Sequence, residues 1–351
     1  MRARLFGALA CAALAAGLSG CQSGTAAGPN ADAGGSGPAP RTADGRPDLR
    51  GVWAYATITP LERSDEFAGK EFLTPEEAVA FERLTAETQD RDRRDGDGEG
   101  GRGADGRTDL DRAYNKFWWD FGTNVVGTRR TSLIVDPPDG RIPALTPDGL
   151  KRAEDRRGLW TRDSRGGGSA GRTFDSAAER PLQERCLGWS TSGPPMLPGA
   201  YNNNVQLFQT RDHVAILNEM IHDHRIVPLD GRPQVGPRMR QWMGTSVGRW
   251  DGDTLVVDTV NLPGAFRASS EKMHLIERFT RVNADMLLYE FTVDDPETWT
   301  RPWTVQIPMS KSDEPIFEYA CHEGNYSMVN VLSGARAQEK EQGGAGQVRR
   351  N

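Results

Sequence analysis

The sequence predicts a mainly β protein, an antiparallel meander that closes into a barrel or folds into a sandwich, with two short peripheral helices. Three observations predict it. From Tyr201 onward, runs of strand length recur: VQLFQT (205–210), HVAILNEMIHDHRIVPL (213–229), RWDGDTLVVDTV (249–260), HLIERFTRV (274–282), MLLYEFTV (286–293), WTVQIP (303–308) and PIFEYAC (315–321). Turn segments such as Arg211-Asp212, Leu229-Asp230-Gly231 and Val282-Asn283-Ala284-Asp285 separate them, and short connections make antiparallel neighbours. The chain of 351 residues also holds 40 glycines and 22 prolines, the composition of a loop-rich β fold.

The first element is an export signal. In MRARLFGALACAALAAGLSGC two arginines precede an apolar run from Leu5 to Leu18, too short for a comfortable membrane span. Leu18-Ser19-Gly20-Cys21 resembles a bacterial lipobox, so 1–21 reads as a lipoprotein signal peptide and Cys21 as the lipidated residue. Gln22 in place of an aspartate favours an outer-membrane anchor facing the periplasm. Residues 22–46 have the composition of a flexible tether. No later window is apolar enough to span a bilayer, so membrane contact is expected through lipid alone.

A single β-rich domain is expected over 47–340. Gly51-Val52-Trp53 is similar to the G-x-W opening of lipocalin-type (calycin-like) barrels. Thr74-Pro75-Glu76-Glu77 reads as an N-cap, a proline at the first helical position and acids in the first turn, so a surface helix is predicted over 74–90. Residues 91–108 are charged, glycine-rich and expected to be disordered; Asp95, Asp97 and Glu99 imitate a calcium loop, but its twelfth position would be Gly106 where a glutamate is needed. Leu133–Val135 reads as a short strand, Thr146-Pro147-Asp148 opens a second helix to about Arg157, 163–172 is a glycine-rich flexible loop and 341–351 a disordered tail.

A net charge of −6 without a basic block argues against nucleic acid as a partner. Beyond Cys21, the processed chain keeps Cys186 and Cys321, and in an oxidising compartment such a pair is expected to form a disulfide. Gly244-Thr245-Ser246-Val247-Gly248 matches the G-x-S-x-G elbow of serine hydrolases, but it lacks the strand before and helix after that the elbow requires.

The chemistry-bearing stretch is EMIHDHRIVPLDGRP (219–233), which carries Glu219, His222, Asp223, His224 and Arg225 within seven positions. Read as part of one long strand over 213–229, alternation places His222 and His224 on one face and Glu219, Asp223 and Arg225 on the other. A strand entering a polar pocket would concentrate charges in this way; a hydrogen-bonded structural network is the rival. His222 beside Glu219 or Asp223, and His274 near Glu271 and Glu277, are candidate acid–base pairs. Arg225, Arg232 and Arg278 are candidate anion binders, Trp242 a stacking surface, and His322 a binding residue placed by the Cys186–Cys321 disulfide. His222 and His224 form a candidate pair for a divalent metal, with a third ligand from His274, His322, Glu219 or Glu323.

The blocks YNNNVQLFQT, EMIHDHRIVPLDGRP, GRWDGDTLVVDT, HLIERFTRV, DDPETWTRPWT and EYACHEGNY together resemble a group of exported bacterial proteins of unassigned function. The resemblance covers about 45–58 and 128–340, departs at the insert 91–108 and the loop 163–172, and implies no reaction. The expectation from the residues is therefore a small-molecule ligand held in a partly polar barrel pocket. The alternative is an envelope enzyme doing acid–base lysis, isomerisation or hydrolysis on a small glycoside or aromatic compound.

Overall fold

The computed structural model describes residues 37–90, 119–156, 174, 176–189, 191–264 and 266–348. The signal segment with Cys21, the front of the tether, the insert 91–108 and the loop 163–172 lie outside the described residues. Part of the stretch read as a tether, residues 37–46, is described: Arg41 pairs with Asp253, and Arg46 lies over the Trp250 ring at 5.6 Å. Among the described residues no helix is long and apolar enough to cross a membrane.

Ten strands form one antiparallel sheet nearly closed into a barrel. They are β1 (Gly51–Ala54), β2 (Ile134–Asp136), β3 (Asn204–Gln209), β4 (His213–Asn218), β5 (His224–Pro228), β6 (Thr245–Asp251), β7 (Thr254–Val260), β8 (His274–Arg281), β9 (Met286–Asp294) and β10 (Trp303–Ser312). The order is β5-β4-β3-β1-β10-β9-β8-β7-β6, with β2 attached to β10. The early strand β1 thus joins the two arms of the meander, pairing through Trp53 with Val205 on one side and Lys311 on the other.

Alternation builds the core. Along β8, β9 and β10 every second residue is buried: Leu275, Glu277, Phe279 and Arg281, then Leu287, Tyr289, Phe291 and Val293, then Trp303, Val305, Ile307 and Met309. These rows meet Trp53, Val205, Leu207, Val214, Ile216, Val227, Leu255 and Val257 in one apolar cluster. The barrel axis is therefore filled by side chains rather than open to a ligand. Each fully buried Leu, Ile, Val or Phe contributes roughly 1.5–3 kcal/mol to that closure. At the end opposite the long loops, Arg281 seals the core: its ring-facing guanidinium lies 4.4 Å from the Trp53 ring and donates to Asn283 O at 2.6 Å and Asp48 O at 2.7 Å.

The sheet has one seam, between β5 and β6. Setting β2 aside leaves nine of the ten strands on the path, and every neighbouring pair along it is antiparallel. An odd number of antiparallel strands brings its two ends together parallel, so no hairpin can close this gap. Side chains close it instead. Val227 and Leu229 lie so near Gly248 that a Cβ there would fall 2.8 and 2.6 Å from them.

The two expected helices are present as α1 (Pro75–Thr88) and α2 (Pro147–Arg156). The α1 start is a reciprocal capping box: Glu77 N donates to Thr74 Oγ1 at 3.2 Å, and Thr74 N to Glu77 Oε2 at 2.8 Å. A third helix, α3 (Tyr326–Val348), is an addition to the sequence reading. It carries Gly334 in its interior and leaves Tyr326 and Val329 exposed, so no amphipathic stripe announced it.

Two strand expectations are corrected. Residues 213–229 are not one long strand but β4 and β5 paired antiparallel, with Leu217 opposite His224. The chain reverses through a single helical turn at Met220–His222, where Ile221 and His222 adopt φ of 64° and 50°. Buried Glu219 fixes the reversal by accepting from Asn204 Nδ2 at 2.8 Å and Phe317 N at 3.3 Å. Residues 315–321 are irregular: Phe317 N donates to Glu219, Tyr319 O meets His222 Nδ1, and Cys321 N bonds back to Tyr319 O in place of a strand ladder.

Candidate functional site

The charged stretch is divided by its own reversal. Glu219 is buried at the corner, His222 is exposed with Nδ1 at 3.0 Å from Tyr319 O, and His224 is exposed at the start of β5. Asp223 is half-buried; burial raises its carboxyl pKa, and the nearby His222 and His224 pull it partly back. The segment that meets this corner is tied down a few residues later by the Cys186–Cys321 disulfide, with a Cα–Cα distance of 5.7 Å.

Arg225 points the other way, into the barrel. Its Nη1 and Nη2 donate to Glu277 Oε2 and Oε1 at 2.6 and 2.8 Å, and both residues are buried. Tyr289 donates from its hydroxyl to Glu277 Oε1 at 2.8 Å and accepts from Met196 N at 3.1 Å. Burial and the Glu277 charge hold the phenol pKa well above its usual value, so it stays a donor. Burial opposes the Arg225 charge, but Glu277 outweighs it and the guanidinium pKa is raised. The group links β5 to β8 across the seam, and a 3.4 Å contact from Arg225 to Thr259 Oγ1 adds β7. Arg225, expected to bind a ligand, is thus committed to closing the barrel.

The remaining expected residues stand elsewhere. His274 lies on the outer face, with Nε2 at 2.9 Å from Asp258 Oδ2, and Asp258 is held in turn by Gln234 Nε2 through its carbonyl at 2.7 Å. Arg278 is also on the outer face, 3.5 Å from Asp251 and 3.9 Å from Glu290. Arg232 pairs with Asp230, whose carboxyl falls to about 2 because Arg232 hydrogen-bonds it. Trp242 is exposed beside a small cleft of about 50 Å³, and His322 is exposed next to the disulfide. Glu219, His222, Asp223, Arg225 and His274 therefore do not converge in one pocket. Among the described residues no three His, Cys, Asp or Glu side chains stand close enough to hold a metal ion.

What the structure does assemble is a recess of about 770 Å³ beyond the end of the barrel. Its walls come from connections at one end of the barrel: Ile58, Pro60 and Leu61 after β1, Leu133 before β2, Leu197 and Pro198 before β3, Phe121, Ala153 on α2, and Arg267 in the loop from β7 to β8. Four neutral polar side chains also line it, Thr57, Thr59, Gln89 and Thr191, of which Thr57 Oγ1 donates to Asn124 O and Thr59 Oγ1 accepts from Val126 N, both at 2.9 Å. Among the described lining residues Arg267 is the one charged side chain.

Arg267 is reached by solvent, yet protein crowds it enough that burial lowers its guanidinium pKa, with Glu62 offsetting part of the shift. Both properties hold together for a side chain lining a recess. Its turn is fixed from two directions: Ser269 N donates to Phe266 O at 2.7 Å, and Arg152 Nε of α2 to Ala268 O at 3.3 Å. The available signal for this residue was loop length. Residues 261–273 form a long connection between β7 and β8, longer than 295–302 between β9 and β10 and than the short turns β3–β4, β4–β5, β6–β7 and β8–β9, and long loops concentrate binding function.

Comparison of the chain with models of known families, with curated proteins and with solved structures finds no significant match.

Proposed function

We propose that this protein is an exported, lipid-anchored envelope protein that binds one small, largely apolar molecule in the recess at the end of its barrel. The observation that carries the reading is the recess itself: about 770 Å³, mostly apolar walls, and loops mounted on a packed barrel. That volume lies within the range of small-molecule sites, and a rigid scaffold bearing shaped loops is a common way to build one. The filled barrel axis and the Arg225–Glu277 pair favour these loops over the polar strand as the place for a ligand. The export and anchoring rest on the N-terminal signal pattern ending at Cys21. Membership of the exported group that the sequence blocks resemble fits the same reading.

Native mass spectrometry of the full processed chain, extracted from bacterial envelopes in detergent, tests both halves. The expected mass begins at a lipidated Cys21. The extracted protein is expected to take up one equivalent of the neutral fluorophore N-phenyl-1-naphthylamine. Ala153→Trp, which projects bulk into the recess from α2, is expected to weaken that uptake by at least about tenfold, or 1.4 kcal/mol. An unlipidated mass would overturn the anchor; absent uptake, or uptake indifferent to Ala153→Trp, would overturn the recess as the site.

A further inference from the structure

Resting on that reading, we infer that the molecule is an amphipathic monoanion, an apolar body with a single carboxylate head, and that Arg267 receives the head. Arg267 has neither a hydrogen bond nor an ion pair within 4 Å among the described residues; its one electrostatic neighbour is Glu62, whose Oε1 accepts from Ile142 N at 3.0 Å. Arg267 is exposed to solvent where it lines the recess, and an incoming carboxylate would exchange its hydration for a charge-assisted pair beside an apolar wall. Inside the barrel the chain supplies a bidentate carboxylate of its own to Arg225. At Arg267 the complementary carboxylate is left for a ligand.

The surroundings narrow the class. One cation among the described lining residues matches one negative charge, and the planar fork of arginine matches a carboxylate with two parallel hydrogen bonds. Leu61, Leu133, Leu197 and Phe121 make the wall mostly apolar, with Gln89 and Thr191 as further polar side chains, so most of the body is hydrocarbon. The approach of the head is set by the backbone: Arg267 and Ala268 both adopt left-handed conformations, φ 43° and 63°, in a turn that α2 holds through Arg152. Strain of this kind persists where the surrounding structure enforces it.

The experiment is competition against bound N-phenyl-1-naphthylamine by decanoate and by decanol at pH 7.5, with the full processed chain. These competitors share a chain length and differ in the head. Decanoate is expected to displace the fluorophore at a concentration at least about tenfold lower than decanol. The preference is expected to fall to about twofold or less in Arg267→Gln and to be partly kept in Arg267→Lys, with the fluorophore still bound by both variants. Equal displacement by the two competitors in the unaltered chain overturns the anionic head while leaving the recess reading in place. A decanoate preference that survives Arg267→Gln overturns the role of Arg267. Displacement by neither overturns the recess reading and this inference with it.

Discussion

Arg225 is buried inside the barrel and Arg267 is exposed to solvent in the recess beyond its end, and the chain treats them in opposite ways. Arg225 receives a bidentate carboxylate from Glu277, and Glu277 receives a further hydrogen bond from Tyr289, itself bonded to the Met196 backbone. Arg267 receives only the distant field of Glu62. Burial of a charge is therefore not by itself a sign of function in this protein. Where the polar groups of a cluster answer one another, the cluster builds the fold; where a charge in a recess is left without a partner, it is available to a ligand.

The largest expected effect tests the first half of that contrast. Arg225→Met leaves Glu277 buried and unpaired, and urea unfolding is expected to show a loss of about 3–5 kcal/mol. Arg225→Met combined with Glu277→Leu removes both charges and is expected to recover most of it, since buried pairs replaced together by apolar groups are often neutral. Arg267→Met is expected to change stability by no more than about 0.5 kcal/mol. A loss at Arg267 matching that at Arg225 would erase the distinction.

A middle-sized effect is expected at the seam that Arg225 helps to close. Gly248 has an ordinary φ, so its role is contact rather than backbone freedom: a Cβ would fall 2.6 Å from Leu229 and 2.8 Å from buried Val227. Gly248→Val is expected to cost about 1–3 kcal/mol, as overpacked sites do, while fluorophore uptake by the folded fraction stays unchanged. Reduced uptake at full occupancy of the folded state would show that seam and recess are coupled rather than separate.

The seam also shows what sequence could and could not reveal. Alternation was legible wherever a strand faces the core on one side, as in β8, β9 and β10, and the caps of α1 and α2 were legible because capping uses a few residue types at fixed offsets. The reversal at Glu219–Asp223 was not, because it turns on a left-handed conformation at Ile221, a β-branched residue whose type disfavours it. With the reversal hidden, parity along 213–229 was read through a corner. His222 and Arg225 then looked like lining residues, although tertiary partners, Tyr319 for one and Glu277 for the other, decide where each points. Arg267 was hidden for a different reason: a recess belongs to loops distant in sequence, and no local pattern in GAFRASS marks the arginine as unpaired.

The smallest expected effect concerns Asp223, an enclosed charge between the two extremes. Burial raises its folded pKa, and His222 and His224 reduce the shift without cancelling it. A carboxyl with a raised folded pKa binds more protons in the folded than in the unfolded state between the two pKa values, so stability falls as pH rises through that interval. Below the ordinary carboxyl pKa of 3.8 both states are protonated and the residue is neutral to stability; above the raised value the full cost is present. Asp223→Asn is therefore expected to stabilise at pH 7 by no more than about 0.5 kcal/mol, as partly exposed sites allow, and to have no effect at pH 3. Thermal unfolding at the two pH values measures this. Destabilisation at pH 7 would mean that Asp223 has a charge partner at the corner stronger than its two histidines, placing it with Arg225 among the paired charges that build the fold.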